Sequence, residues 1–166
     1  MSIEDLAPEQ FELVAGWLSR PEVNRWLTSE WRDRQVQAAT IAMAVRNKRN
    51  RLFLVIHDGV PCGLAALADI DSVDRTAMVW YVLGEPELAG RGITSAAVRL
   101  VARKAFDELG LASLYAWIMD DNAASRRVLE GTGFRLAGRI RGATCSAGRQ
   151  ADRVNFDLVA LDPPSG

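Results

Sequence analysis

Gly90 and Gly92 flank Arg91 immediately before a segment with helical periodicity, and that spacing can hold an anion. Glycine lets main chain approach a ligand closely and adopt left-handed dihedrals, while the first turn of the following helix leaves its N–H groups without intrahelical partners. A phosphate placed there meets the positive end of the helix dipole, and Arg91 adds a full charge. The plainer alternative is a simple helix start. A Walker loop needs Gly-Lys-Ser/Thr and a dinucleotide fold needs Gly-x-Gly-x-x-Gly early in the chain; neither is present.

Other reactive side chains are sparse. Cys62 and Cys145 show no CxxC spacing and no clustered histidines, so neither a disulfide framework nor a zinc site is expected. Cys145 lacks a histidine partner for nucleophilic catalysis, and the single histidine, His57, beside a hairpin turn, is given no role. Trp17, Trp26 and Trp31 fall within fifteen otherwise polar residues. They read either as core or as the wall of an acceptor site, since indole faces suit sugars and cationic amines. With 20 basic and 21 acidic residues no net field steers the chain towards nucleic acid or an anionic membrane. No apolar run reaches membrane-spanning length and the acidic start lacks a leader's apolar region, so a soluble, cytoplasmic protein is expected.

These residues need elements to position them. A length of 166 residues suits one domain, read as residues 1–162, with 163–166 as a disordered tail. A short strand at 2–6 precedes a helix opened by Pro8, with Phe11, Val14 and Leu18 on one face. Residues 21–34 are irregular and, with a helix at 35–47, form a helical flap. Strands at 52–57 and 62–70 flank the Asp58-Gly59 hairpin signal, and a turn at 71–75 leads to the strand at 76–83. A helix from Ile93 closes at Gly110, and a buried strand at 111–119 makes a βαβ crossover, so the two flanking strands should be parallel. A helix at 123–130 and strands at 134–140 and 154–161 follow, with 141–150 as a mobile lip.

Three motifs stand out in this frame: Leu83-Gly-Glu-Pro-Glu87 leading into Gly90-Arg-Gly92, the helix end Ala105-Phe-Asp-Glu-Leu-Gly110, and Asn122-x-x-Ser125-x-x-x-Leu129-x-x-x-Gly133-Phe134. With them, nearly the whole chain resembles the GNAT (GCN5-related) acetyltransferases, in the branch of ribosomal-protein N-terminal and amino-sugar acetyltransferases. The resemblance implies an α/β (α+β) fold with a mixed, mostly antiparallel sheet, splayed at the cofactor site and flanked by helices. It also implies acetyl-CoA as donor. The pantetheine arm would pair with backbone at Tyr81, Val82 and Leu83, and the pyrophosphate would sit on amides of Leu88, Ala89, Gly90, Arg91, Gly92, Ile93 and Thr94. Asn122 and Ser125 complete the expected cofactor contacts.

Ala89 and Thr94 depart from the family pattern: Ala89 removes a polar anchor beside the phosphates and Thr94 offers them a hydroxyl, so weaker cofactor binding or a shifted loop is expected rather than loss of the site. Leu129 stands where many members carry a tyrosine that protonates the leaving thiolate, and the branch implies Ser125 in that role; the alternative is a cofactor or helix-start hydrogen bond. The expected reaction is direct attack of a primary amine on the thioester, its oxyanion held by an amide near Val82. Met78 stands where relatives place a glutamate, so Asp69 and Asp71 are the candidate proton acceptors. Trp26, Trp31 and Trp80 are the candidate acceptor contacts. The expected acceptor is the amine of a small metabolite, such as an amino sugar; a protein N-terminus and a non-catalytic acyl-CoA sensor are the rivals. The branch also puts a homodimer among the expectations.

Overall fold

The computed structural model describes residues 1–146 and 148–160. The elements are β1 (Ser2–Asp5), α1 (Phe11–Leu18), α2 (Pro21–Asn24), α3 (Ala38–Arg46), β2 (Arg51–His57), β3 (Val60–Asp71), β4 (Thr76–Leu83), α4 (Ile93–Arg103), β5 (Ser113–Met119), α5 (Ala123–Gly131), β6 (Arg135–Ser146) and β7 (Arg149–Val159). The described strands make one sheet in the order β1-β2-β3-β4-β5-β7-β6, antiparallel except for the β4–β5 pair.

The central strands are apolar on both faces because helices cover both. Along β2, Phe53 and Val55 enter the core under α4 and α5, while Leu52 and Leu54 enter the core under α1 and α3. Along β4 the same period of two sends Ala77, Val79 and Tyr81 to the first face and Trp80 and Val82 to the second. Phe53, Leu64 and Leu114 are essentially inaccessible, and burial of each such side chain contributes about 1.5–3 kcal/mol. The Asp58-Gly59 signal becomes a tight hairpin with positive φ at both residues. Gly84, just past β4, lies flat against Trp17; a Cβ there would come within 2.3 Å of the indole.

The feature that positions the site is a break in the β4–β5 pair, the one parallel pair among the described residues. β4 and β5 are in register at Thr76↔Ser113, Ala77↔Leu114 and Met78↔Tyr115, after which they part while both strands continue. A wedge opens between Val79–Leu83 and Ala116–Met119, with α4 and α5 at one side and the flap at the other.

Several expected boundaries change. The stretch read as irregular contains α2, started by Pro21, and the second flap helix begins only at Ala38. The long helix is α-helical to Arg103 and ends in a π turn over Lys104–Glu108, before Gly110 closes it with φ 63°. The region expected as a lip at 141–150 is mostly strand: β6 and β7 run on as a hairpin, with Thr144↔Ala151 and Ser146↔Arg149 in register. The β6–β7 register shifts between Ile140 and Thr144, which periodicity alone does not reveal. The tail at 163–166 lies outside the described residues.

Candidate active site

A cavity of about 750 Å³ occupies the wedge. Of the site residues expected from the sequence, Arg91 and Asp71 stay outside its wall, and all the others line it. Gly90 and Gly92 have φ 79° and 75°, and Gly92 is the N-cap of α4. No side chain caps that helix and no acidic residue sits in its first turn, so its first amides are free for an anion. The space beyond both glycines is open: a Cβ at either would meet nothing within 4 Å. Arg91 is exposed beside this seat.

The spacing Asn122-x-x-Ser125 has a local physical cause. Asn122 is the N-cap of α5 and its Oδ1 accepts from the Ser125 N–H at 3.1 Å, which satisfies one orphan donor of the helix. Across the wedge, the Tyr81 hydroxyl donates to the Ser125 carbonyl oxygen at 3.2 Å, and burial pushes its phenol up to about 12. Leu129 lies fully buried in the same wall.

At the other end the flap folds over β4. The Trp31 and Trp80 rings tilt together with centroids 5.8 Å apart, and the Arg25 guanidinium stacks 4.1 Å above Trp26. Trp17 and Trp31 both belong to the core under α1 and α3, Trp17 with Nε1 donating to Glu85 at 2.9 Å, while Trp31 also lines the cavity. Buried Arg32 ties flap to hairpin. Its Nε and Nη2 donate to the Leu27 carbonyl oxygen, its Nη1 donates to that of Cys145, and desolvation holds its pKa below the ordinary value.

Asp69 and Asp71 separate in space although they are close in sequence. A bulge interrupts the β3–β4 register between Ala68 and Asp71, and within it Asp69 takes φ 51° and joins the cavity wall. Asp71 instead caps the turn. Its Oδ1 accepts from the N–H groups of Val73 and Asp74, which hold its carboxyl below the usual carboxylate range.

Sequence reasoning missed Glu22, Glu30, Trp117 and Arg127, which also line the cavity. Glu22 and Glu30 stand four residues either side of Trp26, a spacing visible in the sequence but obscured by the irregular pattern around it. Trp117 reaches the site only because β5 diverges from β4.

A glycine-capped anion seat, a parted parallel pair and an aromatic flap around one cavity make a place for an acyl-CoA. The model of the acetyltransferase (GNAT) domain matches residues 1–135. The chain belongs to the GNAT acetyltransferase family. Members use acetyl-CoA, and the free first-turn amides of α4 and the open space beside Gly90 and Gly92 fit its pyrophosphate. A Bacillus subtilis (strain 168) protein carrying the provisional name ribosomal N-acetyltransferase YdaF is 33% identical over 105 residues, which cover 63% of this chain and 57% of that protein. The spermidine N(1)-acetyltransferase of Escherichia coli (strain K12) is 28% identical over 58% of this chain and 51% of its own length. The chain thus spans about half the length of these two relatives. Spermidine N-acetyltransferase of Vibrio cholerae, solved with CoA and spermine, shares the fold at TM-score 0.84 and 16% identity, with 95% of this chain and 94% of that chain covered.

Proposed function

We propose that this protein transfers an acetyl group from acetyl-CoA to a primary amine of a small molecule by direct attack. The single observation that carries the reading is the cavity itself, which runs from the free amides of α4 through the β4–β5 wedge to the flap. In this reading Leu88 through Thr94 and the α4 dipole hold the pyrophosphate, the backbone of Tyr81 to Leu83 pairs with the pantetheine amides, and Asn122 adds a polar contact beside it. An amide near Val82 stabilises the developing oxyanion, an interaction worth more in a dry wedge than in water.

The amine must reach the carbonyl neutral, since a primary amine has a pKa near that of lysine. Asp69 takes its proton directly or through one water, held at the wall by the bulge. As the C–N bond forms and the C–S bond breaks, the departing thiolate is protonated at the corner where Ser125 meets β4. No acyl-enzyme is required. Cys145 is exposed and its carbonyl oxygen is engaged by Arg32, consistent with a structural place.

For the acceptor, Glu22, Glu30 and Asp69 line the same cavity as Trp26, Trp31 and Trp80, which favours an amine carrying further positive charge. That setting supports a polyamine-like acceptor over an amino sugar, which carries no charge beyond the reacting amine. The names of the spermidine-acetylating relatives agree with it.

The test is mass spectrometry after incubation with acetyl-CoA and, in turn, polyamines, amino sugars and N-terminal peptides, with thiol release followed in parallel. Acetylated polyamine with stoichiometric CoA release is expected. Acetylation of peptides alone overturns the small-molecule reading, and tight acetyl-CoA binding without thiol release on the full panel makes the protein a sensor.

A further inference from the structure

One hydroxyl in the cavity wall is left without a task by the expected mechanism. Tyr81 enters that mechanism only through its backbone, yet its side chain crosses the wedge from β4 and places Oη 3.2 Å from the Ser125 carbonyl oxygen on α5. The ring is packed against the core under α4 and α5, and both residues line the cavity. Leu129, about one helical turn beyond Ser125 in the same wall, offers no proton. We propose that the Tyr81 hydroxyl, oriented by the Ser125 carbonyl, is the proton donor to the sulfur that leaves when the thioester is cleaved. This assignment rests on the acetyl-transfer reading above.

The chemistry balances with water as the only further reactant. The amine nitrogen bonds to the carbonyl carbon and its proton passes to Asp69 or solvent. The C–S bond breaks with its electron pair on sulfur, the phenol proton moves to that sulfur, and the phenolate recovers a proton from water. Burial keeps the phenol protonated throughout the neutral range, and the same low-dielectric surroundings raise the basicity of a thiolate formed beside it. A serine hydroxyl is a far weaker acid than a phenol, so at this corner the phenol is the better donor and Ser125 the better positioning residue. Its backbone carbonyl, fixed by the Asn122 cap, supplies that contact whatever the side chain.

The chain has two tyrosines, so Tyr115→Phe leaves Tyr81 as the only one and permits its selective replacement by fluorotyrosine. In that protein the fluorine resonance should shift on adding CoA and stay in place with desulfo-CoA, while calorimetry shows both ligands binding. Tyr81→Phe should lower kcat roughly a hundredfold with the KM for acetyl-CoA within about twofold of the parent, and Ser125→Ala should cost far less. Equal shifts with CoA and desulfo-CoA, or a Tyr81→Phe enzyme with undiminished kcat, overturn the assignment while leaving acetyl transfer intact. Failure of both ligands to bind overturns the acetyl-transfer reading and this assignment with it. A Tyr81→Phe chain that does not fold leaves the fluorine measurement to decide.

Discussion

The two ends of the cavity are built by different means. At the end proposed for the cofactor, main chain dominates: Gly90, Gly92 and the amides opening α4 offer donors whose geometry is fixed by backbone, and Asn122 fixes the start of α5. At the end proposed for the acceptor, side chains dominate, with Trp31 on Trp80, and with Glu22, Glu30 and Trp26 in the cavity wall. A backbone site recognises what all family donors share, the phosphates and pantetheine, whereas a side-chain site can be rewritten residue by residue to suit a different amine. The contrast explains why the family is plain and the acceptor is individual.

The sharpest way to break the comparison is at Gly92. Gly92→Glu should abolish acetyl-CoA binding, a loss of at least about a hundredfold by calorimetry, because a carboxylate would enter the phosphate seat. Its φ of 75° strains most side chains, so Gly92→Asn is the control; Asn tolerates this conformation and should keep most of the affinity. Retained affinity in Gly92→Glu would move the phosphates elsewhere. Next in size is Trp26→Ala. The acceptor KM should rise about tenfold with acetyl-CoA affinity unchanged, in line with about 1–2 kcal/mol for a cation held on the indole face opposite Arg25. Equal losses for both substrates would show that the two ends are not independent.

Smaller effects should follow at the rim. Glu22→Gln or Glu30→Gln should each raise the KM for a polyamine by about two- to fivefold at low salt, and the difference should fade as salt is added. An amino sugar, with no charge beyond the reacting amine, should be indifferent to both changes. The smallest effect concerns the hairpin. Asp152 accepts from the Gly142 N–H at 2.8 Å and from Arg139, and these contacts hold its carboxyl below the usual range. A depressed folded pKa gives a contribution that is present above the unfolded value and lost as pH falls through the folded one. Protection of the Gly142 amide, its exchange measured against the intrinsic rate at the same pH, should therefore fall on acidification, and Asp152→Asn should flatten that dependence.

How far the sequence could be read follows the same division. The left-handed glycines ahead of α4 and the α5 cap are local, made by residues within four positions of one another, so glycine spacing and Asn-x-x-Ser pointed to them. The parallel β4–β5 pair was legible from the strand-helix-strand order, and the splay from the family. What escaped depends on distant chain segments: Arg32 bonds to Cys145, 113 residues away, and turns the supposed lip into a hairpin docked on the flap. Asp69 and Asp71 looked interchangeable because a bulge, not a residue pattern, points one into the cavity and leaves the other capping a turn. Tyr81 was read for its backbone alone because nothing in a single strand shows what its hydroxyl will meet.

Hydrogen–deuterium exchange with acetyl-CoA alone, and then with an unreactive CoA and the amine together, tests the division most directly. Acetyl-CoA should protect residues 81–83 and 88–94 while exchange in residues 22–31 is unchanged until the amine is added. Protection of the flap by acetyl-CoA with none at 88–94 would contradict the account.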